Sequence, residues 1–244
     1  MILQLDIGNT RIKWRVVENG TRGGGGAMPS DSLQELPLAL AEVGSPAEVW
    51  VSSVADPQRE ALLQAVISEH WGVEAWFART PATQLGLRNS YRDPARMGVD
   101  RWLAMLAAWR SVNGAVCVVD AGSALTIDFV AAAGEHVGGY ILPGLDSMER
   151  ALLSDTDRVR FGEAPRDRIE PGRSTEAAVF NGLLLSQAGA VSLSLQRLGA
   201  EFVPVFTGGN GELLKQLLVP AAEFRAELVL DGLALAAGAR GGVQ

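Results

Sequence analysis

Two acidic residues occupy the same place in two similar stretches of the sequence. The first stretch, LQLDIGNTRIKW, begins at Leu3, and the second, CVVDAGSALTID, begins at Cys117. In each, an apolar run ends at an aspartate, Asp6 or Asp120, and a glycine follows two residues later. A carboxylate at the end of a strand can hold Mg²⁺ through water, or it can bond to the turn itself. Because the pattern occurs twice, we expect a duplicated structure that binds one ligand between its halves.

The residues that follow each aspartate have the types that bind phosphate. Gly8 and Gly122 let the backbone turn sharply and approach a ligand closely. Groups that donate to phosphate oxygens come next, from Asn9, Thr10 and Ser123. Lys13 can place a positive charge on a transferring phosphate, although a lysine on a solvated strand gives the same pattern. The two stretches therefore predict a phosphate site.

A third candidate lies at the start of a predicted helix, in the sequence GVDR from Gly98 to Arg101. Asp100 there is either a helix N-cap or a general base that takes a proton from a hydroxyl group. Arg101 beside it can bind a substrate carboxylate. A later segment, TGGN at 207–210, leads from a strand into a helix, which is a suitable place for a nucleotide to lie against bare backbone.

Strands, turns and helices are needed to hold these residues. Each repeated stretch is typical of a strand, a tight turn and a returning strand. Strands are also expected at 48–54, 73–77, 138–142 and 203–206, and helices at 57–71, 101–111, 145–153 and 174–198. The alternation of strands and helices in both parts of the chain predicts an α/β fold with two halves, 1–114 and 115–244.

Three further segments carry weaker signals. The glycine-rich residues 20–26 are interpreted as a flexible turn between strands, because no suitable helix follows to make them a phosphate loop. A helix is expected over 31–43. Residues 227–230 are predicted to form a last short strand, and Asp231 to cap a terminal helix.

The composition excludes several classes of protein. The chain has 244 residues, of which 48% are hydrophobic, and its net charge of −7 without long basic runs argues against nucleic-acid binding. A single cysteine, Cys117, excludes an internal disulfide and a cysteine-based zinc site. The apolar segment 177–198 contains polar residues and is interpreted as a buried helix, with no membrane span. Because Asp6 comes too early for a signal peptide, we expect a cytoplasmic protein.

Taken in order, the motifs resemble those of type III pantothenate kinase, a branch of the acetate and sugar kinase, Hsp70 and actin superfamily. The ordered set is two Asp-x-Gly hairpins, Gly-x-Asp-Arg, Gly-Gly-x-Ile-x-Pro-Gly and Thr-Gly-Gly-Asn, and it spans nearly the whole chain. The resemblance implies duplicated actin-like (ribonuclease H-like) halves with a nucleotide cleft between them. It also implies ATP-dependent phosphorylation of pantothenate to 4'-phosphopantothenate, the first step of coenzyme A biosynthesis. A homodimer, Mg²⁺ and a monovalent cation, K⁺ or NH₄⁺, are further implications.

The resemblance also assigns roles to individual residues. The first phosphate-binding segment corresponds to Asp6, Gly8, Asn9, Thr10 and Lys13, and the second to Gly122 and Ser123. Asp120 resembles the acid near the monovalent cation, and Asp6 the one that holds Mg²⁺ through water. Asp100 resembles the catalytic base. The implied pantothenate contacts are Tyr91, Gly98, Val99, Asp100, Arg101 and Thr175, the last reaching the site of the partner subunit.

Two positions depart from the family pattern, and two other functions stay open. Ser123 replaces a common threonine but keeps a hydroxyl group, whereas Asn210 replaces a common aspartate and weakens any metal role there. One alternative is a non-catalytic accessory protein on the same fold, against which the intact Asp6, Lys13 and Asp100 argue. The other is a kinase of another small hydroxyl substrate.

Overall fold

The computed structural model describes residues 1–41, 44–154 and 167–241. They fall into two compact units, of which the first contains Met1–Ala107 and Glu227–Gln244 and the second contains Ala108–Ala226. This grouping differs from the expected halves, 1–114 and 115–244, mainly because the C-terminal segment belongs to the first unit.

A five-stranded sheet forms the centre of the first unit. Its strands are β1 (Ile2–Ile7), β2 (Arg11–Glu18), β3 (Thr21–Pro29), β4 (Glu48–Ser53) and β5 (Ala75–Phe77). They lie in the order β3-β2-β1-β4-β5, with β1 antiparallel to β2 and parallel to β4. A separate two-stranded ribbon consists of β6 (Thr83–Gln84) and β7 (Leu87–Arg88).

The glycine-rich segment is a strand, so the predicted turn at 20–26 is wrong. It forms most of β3, an edge strand that pairs with β2. A Cβ atom on Gly26 would lie 2.8 Å from the indole ring of Trp14, and one on Gly25 would lie 2.9 Å from the Trp14 carbonyl oxygen. The glycines therefore let this strand lie directly against Trp14.

The helices of the first unit begin with α1 (Leu36–Ala39), α2 (Pro57–Trp71) and α3 (Val99–Val112), the last continuing into the second unit. Asp56 caps α2 as predicted, since its Oδ1 accepts from the backbone N–H groups of Gln58 and Arg59. The helix predicted at 31–43 is shorter than expected, because a 3₁₀ turn, Ser30–Glu35, occupies its first five residues and α1 covers four more. Residues 42 and 43 of that prediction lie outside the described residues.

The second unit repeats the sheet of the first. Its strands are β8 (Val116–Ala121), β9 (Ala124–Val130), β10 (His136–Pro143), β11 (Val203–Thr207) and β12 (Glu223–Phe224). They lie in the order β10-β9-β8-β11-β12, and β8 is antiparallel to β9 and parallel to β11. Because order and direction match strand by strand, the predicted duplication is confirmed.

Three helices accompany this sheet: α4 (Leu145–Ser154), α5 (Thr175–Leu198) and α6 (Gly211–Leu218). Within the described part of the chain, α5 is the one helix long and apolar enough to cross a membrane by length and composition, and 33% of its most apolar window is buried. Leu184, Ala188 and Val191 of α5 pack in the core of the second unit. The helix therefore behaves as a core helix along this face.

The last helix, α7 (Leu228–Gly238), contradicts the strand predicted at 227–230. Its apolar residues are buried where it packs against β1 and β4, and Gly232 touches the backbone of Leu103. Asp231 lies inside the first turn and accepts a hydrogen bond from Arg15 at 2.6 Å, so it does not cap the helix. Apolar residues on all sides of a short segment fit a buried helix as well as a buried strand, which explains the error.

Candidate functional site

The first aspartate lies between two polar residues on neighbouring strands. Asp6 of β1 is in register with Lys13 of β2 and with Ser52 of β4. Directly paired residues on adjacent strands point to the same face of a sheet, so the three side chains form a row. The hydroxyl of Ser52 donates to Asp6 Oδ1 at 3.1 Å. An aspartate and a lysine are therefore cross-strand neighbours where β1 ends.

Hydrogen bonds from Gly8 and Ser30 hold the turn after Asp6 in place. The Gly8 N–H donates to the Arg11 carbonyl at 3.0 Å, which closes the turn and leaves Asn9 and Thr10 exposed. Ser30 holds it from the other side, because its hydroxyl donates to the Gly8 carbonyl at 2.8 Å.

Ser30 is itself fixed by an arginine from α2. The guanidinium of Arg59 donates to the Ser30 carbonyl and, at 2.7 Å, to its hydroxyl. Sequence reasoning missed Ser30, Arg59 and Ser52, because single polar residues outside the repeated motif carry no signal until the fold brings them to the turn.

The second turn has the same construction in the second unit. Asp120 of β8 is in register with Thr126 of β9 and with Thr207 of β11. These threonines take the places that Lys13 and Ser52 take beside Asp6. The Gly122 N–H donates to the Ala124 carbonyl at 2.9 Å, as Gly8 does in the first turn, and Ser123 is exposed. The absence of a lysine beside Asp120 makes the two turns chemically different.

The TGGN segment lies against this second turn. Gly208 has a φ of +85°, and a Cβ atom there would lie 2.4 Å from Asp120 Oδ1. The backbone N–H of Asn210 donates to the Ala121 carbonyl at 2.9 Å. Only glycine fits at 208, both for its backbone conformation and for the space that the Asp120 carboxylate occupies.

Asp100 lies in the first turn of α3 and does not cap that helix. The Gly98 carbonyl accepts from the Trp102 N–H at 3.1 Å, which places Gly98 at the N-cap position. Asp100 Oδ1 accepts from the Arg101 N–H at 2.7 Å. A Cβ atom on Gly98 would lie 2.5 Å from this oxygen, so glycine leaves room for the carboxylate. Val99, the residue before it, is buried, with 6% of its surface exposed.

Arg101 and Tyr91, both named from the sequence, are brought together. Arg101 Nη1 donates to the Tyr91 hydroxyl oxygen at 3.0 Å, and the guanidinium carbon lies 5.8 Å from the centre of the ring. Arg101 is 8% exposed although it carries a full charge. The backbone of Tyr91 is held by Asn89, whose Oδ1 accepts from its N–H at 2.9 Å.

An open cavity of about 370 Å³ lies beside Tyr91. Its lining includes Asp93 and two exposed arginines, Arg92 and Arg96. Together with Arg101, these arginines make the surroundings of Tyr91 favourable for an anionic group. Sequence reasoning missed both, because exposed arginines in a loop are usually solvated charges.

Thr175 lies in the second unit and is the exposed first residue of α5. Ser174 caps the helix, since its hydroxyl oxygen accepts from the Ala177 N–H at 3.2 Å. The carbonyl of Glu170, on the preceding segment, accepts from Asn181 Nδ2 at 2.6 Å. The helix start is therefore well defined and its threonine side chain is accessible.

No cluster of three or more His, Cys, Asp or Glu side chains suited to a metal ion occurs among residues 1–41, 44–154 and 167–241. Asp6 and Asp120 each offer a single carboxylate, with lysine, serine or threonine residues in register on the adjacent strands. That donor set fits Mg²⁺ bound mainly by phosphate oxygens and water, which is the usual arrangement for this ion.

Comparison with known proteins adds independent findings. The family model of type III pantothenate kinase matches residues 2–197. The type III pantothenate kinase of Ectopseudomonas mendocina (strain ymp) is 41% identical over 246 residues, covering 97% of this chain and 98% of that protein. The type III pantothenate kinase of Pseudomonas putida (strain F1) is 39% identical over 251 residues, with the same coverage.

Solved structures show the same fold at lower identity. A protein from Campylobacter jejuni described as a Baf family transcriptional activator superposes with a TM-score of 0.64 at 19% identity, covering 99% of this chain and 100% of that one. A protein from Sinorhizobium meliloti described as a 2-dehydro-3-deoxygalactonokinase gives 0.60 at 17% identity, with 100% of both chains covered. These likenesses, with the repeated sheets, confirm the predicted α/β fold of duplicated actin-like halves.

Proposed function

The chain belongs to the type III pantothenate kinase family, and we propose that it transfers the γ-phosphoryl group of ATP to the primary hydroxyl group of pantothenate. Members of this family are kinases, and ATP is their co-substrate. The observation that carries the proposal to this chain is the start of α3, where the Asp100 carboxylate stands next to Arg101 and its Tyr91 partner. A base and an anion-binding group at adjacent positions suit a substrate with both a hydroxyl and a carboxylate.

In this proposal the two repeated turns bind the phosphate groups of ATP. Phosphoryl transfer depends mostly on positioning and on neutralisation of charge. Asn9 and Thr10 offer backbone and side-chain donors in the first unit, and Ser123 does so in the second. Gly8 and Gly122 close the turns that present these donors. Lys13, beside Asp6 at the end of the sheet, supplies the positive charge for the transferring group. The expected nucleotide cleft between the halves stays a prediction.

Asp100 acts as the base in this proposal. Its carboxylate accepts the proton of the substrate hydroxyl as that oxygen attacks phosphorus. The bond from the Arg101 N–H fixes one carboxylate oxygen and so orients the group. Arg101, with Arg92 and Arg96 nearby, binds the pantothenate carboxylate, and Gly98 and Val99 shape the adjoining backbone.

Two cations complete the proposed site. Asp6 holds Mg²⁺ through water, and Asp120 lies near a monovalent cation, K⁺ or NH₄⁺. When bound, Mg²⁺ neutralises the charge that develops on the phosphate oxygens. The support is the chemistry of single carboxylates at phosphate-binding turns, because such sites share the ion with the nucleotide.

We further propose a homodimer in which Thr175 reaches the pantothenate site of the partner subunit. The support is the accessible position of Thr175 at the start of α5 and the exposed apolar side chains along that helix, Leu185 at 51% and Leu193 at 55%. We also propose that the enzyme is cytoplasmic and that it binds neither nucleic acid nor membrane.

A coupled assay of ADP release tests this function. Purified protein with ATP, Mg²⁺ and pantothenate should turn over, and removal of K⁺ and NH₄⁺ should lower the rate. The variant Asp100→Asn should lose roughly 10²–10⁴-fold in kcat, since it keeps its shape but loses the ability to accept a proton. ATP binding without turnover on pantothenate would favour a non-catalytic protein, and turnover on another small alcohol would favour a different kinase.

A further inference from the structure

Gln187 is a buried polar residue on the apolar face of α5. It is 1% exposed and lies among the core residues Leu184, Ala188 and Val191. Its Nε2 donates to the carbonyl oxygen of Pro143 at 3.0 Å. Within the described residues its Oε1 is buried without a hydrogen-bond partner. A half-satisfied amide is costly in a core, so its presence needs a reason beyond packing.

The carbonyl that Gln187 holds belongs to the segment that touches the second phosphate-binding turn. Pro143 is followed by Gly144, whose N–H donates to the Ser123 carbonyl at 3.1 Å. A Cβ atom on Gly144 would lie 2.5 Å from the carbonyl oxygens of both Gly122 and Ser123. The two backbones are therefore in direct contact, with no room for a side chain between them.

The same segment also begins α4. The Gly144 carbonyl accepts from the N–H groups of Ser147 and Met148, both at 3.0 Å, which places this glycine at the N-cap position of the helix. A shift of Pro143 would therefore move the helix start and the Gly122–Ser123 turn together. Gln187 reaches this junction from the face of α5 that packs in the core of the second unit.

We propose that Gln187 is a positioning residue for the nucleotide, and that it acts by holding Pro143 and Gly144 against the Gly122–Ser123 turn. This inference rests on the proposed phosphate-binding role of that turn. The amide fixes the backbone behind the turn, so that the groups offered to phosphate keep one orientation. The pantothenate residues Tyr91 and Arg101 belong to the first unit, whereas this contact lies within the second.

The test replaces the amide by an apolar group of the same length. Gln187→Met should raise the KM and the dissociation constant for ATP by roughly 3- to 10-fold, the range expected for one lost hydrogen bond. The KM for pantothenate should change by less than 2-fold. Gln196→Met is the matched control, because Gln196 lies on the same helix, is exposed and donates to Ser192 of that helix at 3.2 Å. The control should leave both constants unchanged.

Gly144→Ala provides a second test of the same contact from the other end. Its methyl group would push on the carbonyls of Gly122 and Ser123, so ATP binding should weaken at least as much as in Gln187→Met. Isothermal titration calorimetry with ATP measures binding independently of turnover. Circular dichroism checks that each variant is folded.

The outcomes separate this inference from the proposed function. If the wild-type protein phosphorylates pantothenate and Gln187→Met binds ATP normally, only the inference is overturned. If the wild-type protein binds ATP without acting on pantothenate and Gln187→Met still binds ATP more weakly, the inference stands and the proposed reaction fails. Equal losses for ATP and pantothenate, an unfolded Gln187→Met, or no ATP binding by the wild-type protein would each overturn the positioning role.

Discussion

The attachment of the C-terminal segment to the first sheet depends on Arg15, and its replacement gives a quantitative prediction. Arg15 is 3% exposed. Its guanidinium donates to Gln4 Oε1 at 2.6 Å, Asp231 Oδ1 at 2.6 Å, the Leu230 carbonyl at 2.7 Å and Glu227 Oε2 at 3.0 Å. Arg15→Met keeps a long apolar stem but removes the charge and all four bonds. The start of α7 then loses its hydrogen bonds to β2 but keeps its apolar packing against β1 and β4.

The size of the expected loss in stability depends on which hydrogen bonds the partners of Arg15 keep. Loss of one member of a buried ion pair costs about 3–5 kcal/mol, because the remaining charge is left without compensation. Asp231, 12% exposed, keeps a bond from Arg22 at 2.7 Å, but Arg22 is 61% exposed and such a pair is worth at most about 1 kcal/mol. Gln4 and the Leu230 carbonyl lose buried donors outright. We therefore expect the free energy of unfolding to fall by about 3 kcal/mol.

Urea unfolding followed by tryptophan fluorescence measures this loss. Five of the six tryptophans, at positions 14, 50, 71, 76 and 102, belong to the first unit, so the signal reports mainly on the sheet that α7 covers. Arg22→Met is the matched control, and it should cost less than about 1 kcal/mol because its pairs are exposed. A loss for Arg15→Met no larger than that of the control would refute the reasoning.

Three further predictions concern the dimer, a thiol and a carboxylate. Asp100→Asn and Thr175→Arg chains should each be nearly inactive, but mixed dimers should regain activity from one intact shared site; confirmed exchange without recovery would show that the site is not shared. Burial, and secondarily the negative charge of Asp128, raises the pKa of the Cys117 thiol. Labelling of this thiol at pH 8 should therefore be at least ~10³-fold slower in the folded protein than in urea. Fast labelling of the folded protein would contradict this. The Trp50 indole N–H and the Arg240 guanidinium lower the pKa of Glu48 below its ordinary value of 4.5, so the carboxylate contributes stability above that pH and loses it as the pH falls further. The stability difference between wild type and Glu48→Gln should be largest near pH 7 and shrink below about pH 4; a pH-independent difference would exclude this linkage.

Repetition made the central strands and turns predictable. The two Asp-x-Gly stretches identified β1, β2, β8 and β9 because alternating apolar residues and a glycine turn specify a hairpin locally. The capped start of α2 at Asp56 was equally local. Arg101 was named from the predicted helix start and Tyr91 from the resemblance, and the structure places them in contact.

The remaining features depend on partners that are distant in sequence. The glycines of β3 pair with a strand because Trp14 covers them, and glycine alone favours no strand. The segment after Glu227 is a helix whose apolar residues are covered by β1 and β4 and, at Gly232, by the backbone of Leu103. Ser30 and Arg59 matter only because the fold brings them behind the Gly8 turn. In each case the deciding contact is tertiary, so no local pattern contains it.

The return of α7 to the first sheet has a consequence for synthesis on the ribosome. The sheet of the first unit emerges early, but the helix that packs on β1 and β4 emerges only after all of Ala108–Ala226 has been made. Until then the face that carries Gln4 and Trp50 lacks its native cover. A fragment that ends at Ala107 would leave that face exposed. An isolated first unit for biophysical work should therefore be built by circular permutation, with residues 227–241 joined ahead of Met1.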